Sequence, residues 1–173
     1  MAFDPMKNSL LERLQKPDWF SKGLSGHILG TDELGRDVLT RLLSGARISL
    51  LIAAIVTASQ IMLGTALGVL AGFLGGGVDI VIMRICDIFL ALPSMLVAIA
   101  LMAVLGASIP NLILILSITG WVQFCRVTRN NVKIIRGMEF VAAEQVMGAS
   151  KFRIMFNQIL PNVTTDILVL ASQ

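Results

Sequence analysis

The sequence predicts an all-α integral membrane protein, a polytopic helical bundle, and three observations predict it. Apolar residues make up 55% of the 173 residues and charged ones only 14%, where a soluble domain carries about 25% charged. No charged side chain occurs between Arg47 and Asp79, and none between Asp87 and Arg126. Inside the first of these gaps Gly64, Gly68 and Gly72 recur every four residues. A chain of this composition cannot cover itself with a water-facing surface, and about 20 apolar residues suffice for one crossing of the hydrocarbon core. About three full spans and the start of a fourth are expected.

Residues 1–47 form a polar segment of mixed charge, with seven basic and six acidic side chains. Leu10, Leu11 and Leu14 give a short amphipathic turn that Pro17 stops. No apolar core or cleavage site of a signal peptide occurs in residues 1–26.

The first span is expected over about Ile48–Leu74. Its glycines share one helical face and let a neighbouring backbone approach closely, the way helices associate where no hydrophobic drive exists. Gly75, Gly76 and Gly77 end it. The second gap divides at Gly106–Asn111, a turn signal, into a span of about Ile88–Leu105 and a shorter one of about Leu112–Cys125. Pro93 should kink the former or disturb its first turn. Val163–Leu170 begins a fourth span, too short as it stands to cross a bilayer.

Between Arg126 and Asn162 six basic residues face two acidic ones, which marks this loop as cytoplasmic. With three spans before it, residues 1–47 then fall on the opposite, non-cytoplasmic side. The expected division is a polar segment 1–47 and a membrane domain 48–173 with a cytoplasmic loop at 126–162.

Within that loop Glu139–Met147 reads as a helix, Gly148-Ala149-Ser150 as a turn and Lys151–Leu160 as a second helix stopped by Pro161. Gly148 suits the position just past a helix end and Ser150 an N-cap. Phe152, Met155, Phe156 and Ile159 follow helical spacing, as do Phe140, Ala143 and Met147. The pair makes a helical hairpin with one apolar face, which suits either rest on lipid or docking into a groove of a soluble partner.

Charges near the span ends carry readings of their own. Asp87 is expected to pair with Arg84, three residues earlier. Trp121 with Arg126 and Arg129 reads as an interfacial anchor. Asp32, Arg36 and Asp37 suggest a folded cluster on the outer face, with His27 capping or packing beside it. Cys86 and Cys125 are expected to be packing residues. There is no phosphate-binding loop of the G-x-x-x-x-G-K-[ST] kind and no metal-ligand spacing, so no catalytic, cofactor-binding or metal residues are expected.

The run EFVAAEQVMGASKFRIMFNQILPN resembles the EAA loop of ABC-importer permeases, a pattern of E-A-A, three residues, Gly, nine residues and I-x-L-P. Gly148, Leu160 and Pro161 match in register. Ala142, Ala143 and Glu144 stand at the leading positions, so Glu144 places a carboxylate where a small residue is usual. Gln158 stands where the pattern has Ile, or His in peptide-type members. GTDELGRDVLTRLLSGARISL, VDIVIMRICDIFLALPSMLVAIAL and WVQFCRVTRNNV are similar to segments of the dipeptide/oligopeptide/nickel branch. The resemblance implies the type I importer permease fold of six spans, of which this chain would hold the second to the start of the fifth, truncated at both ends.

It also implies a bacterial-type inner-membrane permease for di- or oligopeptides. The expected partners are a second permease subunit, cytoplasmic ABC ATPase subunits, an extracytoplasmic substrate-binding protein and the lipid bilayer, with no nucleic acid. ATP hydrolysis would belong to the partner, so the chain itself is no enzyme. The implied coupling residues are Glu139, Phe140, Ala143, Gly148, Ala149, Ser150, Leu160 and Pro161. Gly148→Asp is expected to abolish coupling by forcing a charged Cβ into the turn. Two other readings remain beside this one. The cargo could be nickel or another small solute, and a chain of another class could be an ion-coupled carrier or a non-transporting fragment. The mild polarity of the span centres, such as Thr57, Ser59 and Gln60, argues against a carrier.

Overall fold

The computed structural model describes residues 9–17 and 26–171. The remaining parts of the polar segment, 1–8 and 18–25, lie outside the described residues, as does the side chain of Leu10. Two compact units divide at Ala53 and Ala54.

In the first unit, a 3-10 turn at Leu10–Glu12 ends at Arg13, and Leu11 and Leu14 both project to the exterior. The expected amphipathic turn thus presents no buried face through them. The GTDELGRD segment folds on itself. Asp32 accepts from the backbone N–H groups of Leu34 and Arg36 (2.9 and 3.0 Å), the usual way an Asp closes a tight turn. Gly30 and Gly35 take φ of +75° and +73°, and a Cβ at Gly35 would meet the Ser9 carbonyl. Asp37 then accepts from the Thr40 N–H at 2.7 Å, which satisfies an otherwise orphaned donor at the helix start. That cap explains why α1 spans Val38–Leu74, some ten residues earlier than expected.

In the second unit, α2 (Gly76–Ala91) and α3 (Ser94–Leu105) are bent by 82° at their junction. Leu92 is extended before Pro93, as the pyrrolidine ring requires of its predecessor. The expected span 88–105 is therefore divided between two helices. Gly106 at φ +85° closes α3. Asn111 donates its side-chain amide to the Leu105 and Gly106 carbonyls, and Ser108 caps α4. α4 covers Ile109–Arg136 and extends at both ends beyond the short span expected. Among the described residues α1 and α4 are each long and apolar enough to cross a membrane, and α2 with α3 makes a third crossing if the bent pair is counted as one. The all-α membrane class stands.

α4 is the central helix. On one side Val69 and Phe73 of α1, Phe124, Val132 and Ile135 of α4, and Val141, Ile154, Ile159, Val163 and Ile167 beyond it form one buried cluster. On another, Ala71, Ile82, Cys86, Trp121, Val122 and Cys125 form a second. Both cysteines are buried free thiols. Trp121, only 4% exposed, packs edge-on against Phe89 with centroids 5.7 Å apart. It is thus a core residue between α2 and α4, which corrects the reading of an interfacial anchor.

Candidate functional site

The loop after α4 folds as a hairpin of α5 (Glu139–Val146) and α6 (Lys151–Ile154). Three backbone bonds close it. Met147 N–H reaches the Ala143 carbonyl, Gly148 N–H the Gln145 carbonyl, and Ala149 N–H the Glu144 carbonyl, at 3.0 to 3.1 Å. With Gly148 at φ +82°, this is a Schellman termination, which satisfies the last carbonyls of α5. Ser150 then accepts from the Arg153 N–H at 3.3 Å and caps α6. A Cβ at Gly148 would meet nothing within 4 Å. The turn therefore needs glycine for its backbone angle, and the expected crowding by an added Cβ is absent.

Pro161 does not stop the second helix. A π turn at Met155–Ile159 leads directly into α7 (Leu160–Ala171). Leu160 N–H bonds the Met155 carbonyl five residues back. The wider turn lies just before Pro161, whose ring and missing N–H would otherwise break the helix. Leu160 packs against the buried cluster.

The hairpin has two apolar sides where the spacing suggested one. Val141, Ile154 and Ile159 are buried and Met155 packs beside them, so these side chains anchor the hairpin to α4 and α1. Val146 (89% exposed), Met147 (77%) and Phe152 (73%) project outward, with Phe140 and Phe156 also exposed. Ala143, Glu139 and Ser150 are exposed and Ala149 is half-buried against the cluster. Helical spacing grouped Ile159 with Phe152, but the π turn shifts the register between them. Val141, fully buried, carried no distinguishing signal within a run of apolar neighbours. Gln158 donates its amide to Glu144 Oε1 at 2.6 Å, bridging the two arms.

The elements behind the hairpin are held by close backbone packing. A Cβ at Gly64 would lie 2.6 Å from the Trp121 carbonyl oxygen, one at Gly68 2.6 Å from that of Cys125, and one at Gly72 2.8 Å from that of Arg129. These glycines are where α1 meets α4. Gln60 Nε2 donates to the Leu116 carbonyl at 2.8 Å, occupying the space that Gly120 leaves open. A polar side chain in the apolar stretch thereby finds an interhelical acceptor.

Charges join α2 to α4. Asp79 receives Arg129 (Nη2 at 2.7 Å, and Nε) and Lys133 (2.7 Å). Asp87 receives Arg126 at 2.6 Å, with Arg84 farther off at 4.0 Å. The dominant partner of Asp87 is thus on the neighbouring helix, and Arg126 and Arg129 are ion-pair members. Asp79 was missed because its partners lie 50 and 54 residues away. Arg136 stacks on Phe73, 5.9 Å from the ring centroid. In the first unit Asp32 pairs with Arg36 at 2.9 Å and with Arg41, while Asp37 holds the buried His27 at 3.0 Å. Asp32, Arg36 and Asp37 thus serve two adjacent sets of interactions. The backbone N–H of Arg36, with the other donors around Asp32, holds that carboxyl well below the usual carboxylate range. For Asp37 burial raises the value, but hydrogen bonds from Thr40 and His27 outweigh it and leave the carboxyl below the ordinary value. Among the described residues no group of three or more His, Cys, Asp or Glu side chains is placed to hold a metal ion.

Residues 64–172 match the family model described as binding-protein-dependent transport system inner membrane component. The chain is 39% identical over 98% of its length to the di/tripeptide transport system permease protein of Pseudomonas aeruginosa, covering 56% of that protein. It is 44% identical over 92% of its length to the dipeptide transport system permease protein of Escherichia coli strain K12, covering 53% of it. It is 41% identical over 83% of its length to the oligopeptide transport system permease protein of Bacillus subtilis, covering 47% of it. The chain spans about half the length of the curated relatives it matches.

Proposed function

The chain belongs to the family of binding-protein-dependent transport system inner membrane components, and from that premise we propose that it serves as a permease subunit of an ATP-driven importer of di- or oligopeptides. It is an inner-membrane, all-α protein. The names of its relatives refer to peptides and favour a peptide cargo over nickel. In this reading the chain forms part of the translocation pathway beside a second permease subunit, receives cargo from a substrate-binding protein, and leaves ATP hydrolysis to separate ATPase subunits.

The observation that carries the reading is the two-sided hairpin. Val141, Ile154 and Ile159 fix it to the bundle, while Val146, Met147 and Phe152 stand exposed beside basic Lys151 and Arg153. An anchored peg with apolar tips suits insertion into a groove of a soluble partner, and its rigidity would pass the movement of that partner to α4 and α7. Glu139, Phe140, Ala143, Gly148, Ala149 and Ser150 belong to this peg and Leu160 and Pro161 to the start of α7 behind it. The peg would lie on the cytoplasmic side within loop 126–162, with residues 1–47 on the opposite side. Gly64, Gly68 and Gly72 would keep the helices behind it in close contact.

The test is uptake of a labelled dipeptide into proteoliposomes holding the full-length protein and its partner subunits. ATP-dependent uptake is expected, and Phe152→Ser is expected to lose ATPase binding while the assembled membrane subunits remain intact. Uptake without ATP would move the protein to the carrier class.

A further inference from the structure

The ion pairs between α2 and α4 do not balance. Two carboxylates, Asp79 and Asp87, face four cations, Arg84, Arg126, Arg129 and Lys133. Asp79 is largely enclosed and Arg129 mostly so, whereas Arg126, Lys133 and above all Arg84 reach the exterior, the last with 80% of its side chain exposed. The face of α2 around Arg84 is apolar. Ile80, Val81 and Ile88, one turn before and after Arg84, are all exposed. Exposed cations among exposed branched aliphatic residues fit neither bulk water nor the hydrocarbon core. They fit the boundary between the two, where cation stems cross apolar surface and their heads reach the phosphate layer.

We propose that this α2–α4 face binds anionic phospholipids, whose phosphates supply the negative charge that Asp79 and Asp87 leave unmatched. Asp79 with Arg129, and Asp87 with Arg126, form the closest pairs and hold the helices. Lys133 and Arg84 are the surplus cations that the headgroups neutralise, and acyl chains lie along Ile80, Val81 and Ile88. Zwitterionic lipids fill the same apolar surface but bring no net charge, so the face discriminates between headgroups. Each cation near an anionic lipid surface contributes about fivefold, and the two together about thirtyfold.

The experiment is native mass spectrometry of the full-length protein with its partner subunits, extracted from vesicles of mixed phosphatidylglycerol and phosphatidylcholine. Phosphatidylglycerol is expected to be retained preferentially. Arg84→Gln with Lys133→Gln restores a one-to-one balance without removing either closest pair, and is expected to cut that preference by about thirtyfold. Arg84→Gln alone, at an exposed position where no fold is at risk, is expected to cut it about fivefold, and Arg84→Lys to keep it. An unchanged preference in Arg84→Gln overturns the proposal. So does loss of the second permease subunit with the lipid preference intact, which would assign the face to a protein contact. Neither readout depends on ATP or on peptide, so failure here leaves the importer reading standing.

Discussion

Gln158 and Glu144 are hydrogen-bonded to each other across the hairpin, amide nitrogen to Oε1 at 2.6 Å. They are also two positions at which this chain departs from the loop pattern it resembles. A carboxylate at a small-residue position is costly if left unpaired, because a half-buried oxygen loses its water. Here the second departure provides the donor for one oxygen, while Oε2 of Glu144 is enclosed without a partner among the described residues.

Two substitutions should therefore be coupled. Gln158→Ala leaves Glu144 Oε1 unsatisfied and is expected to destabilise the hairpin by about 1–3 kcal/mol. Glu144→Ala removes the carboxylate with its enclosed oxygen and should cost less. The double variant should lose much less than the sum of the two single losses. Thermal unfolding of the purified full-length protein measures this cycle, and additive losses would mean that the bond contributes nothing.

Much of this hairpin was legible in sequence. Gly148 and Ser150 mark its turn through short-range chemistry that depends on a few adjacent residues, and both act there as caps. The path through Pro161 was not legible. A proline ordinarily ends a helix, yet here the chain continues through a π register at Met155–Ile159, with Ile154 and Ile159 both buried. The ion pairs of Asp79 were hidden for another reason. Periodicity reports one helix at a time, and the spacing to Arg129 and Lys133 exists only once α2 lies against α4. Pro93 announced its break plainly, but not the 82° angle, which depends on what α2 and α3 each pack against.

Close packing of α1 on α4 makes Gly68 sensitive to a single methyl group. Its Cβ would come 2.6 Å from the Cys125 carbonyl and 2.7 Å from Thr128 Cβ, and backbone cannot move aside as a flexible side chain would. Gly68→Ala is expected to cost about 1–3 kcal/mol by overpacking. Gly77→Ala, where an added Cβ meets nothing within 4 Å, should be neutral or slightly stabilising through helix propensity. Comparing the melting temperatures of the two variants in detergent checks this, and equal losses would remove the case for a tight seam.

Acid should loosen the first unit selectively. The carboxyls of Asp32 and Asp37 are both held below the ordinary value of 3.8, so each binds its proton less readily folded than unfolded. Their stabilisation is fully present above about pH 4 and is lost as pH falls through the lowered folded values. Amide hydrogen exchange at Leu34, Arg36 and Thr40, whose N–H groups bond these carboxylates, is expected to lose protection, relative to the intrinsic rate at each pH, as pH falls below about 4. Protection unchanged to pH 2 would show that the carboxylates do not hold the segment.

Gly148 separates two explanations of the same turn. If crowding were the constraint, Gly148→Asp would be worse than Gly148→Ala, because Asp is larger and charged. The site is open around the missing Cβ and φ is +82°, so the penalty should follow the cost of left-handed backbone, about 1–2 kcal/mol for ordinary residues. Asn and Asp tolerate that region better than Ala, and β-branched residues worst. The expected order of hairpin stability is Gly, then Asn and Asp, then Ala, then Val. ATPase stimulation by the full-length complex should fall in the same order if the turn sets the position of the hairpin. Measured together, the melting temperatures and stimulated ATPase rates of these variants decide it. An Asp variant less active than Val would restore the crowding account or place the negative charge against the docking partner.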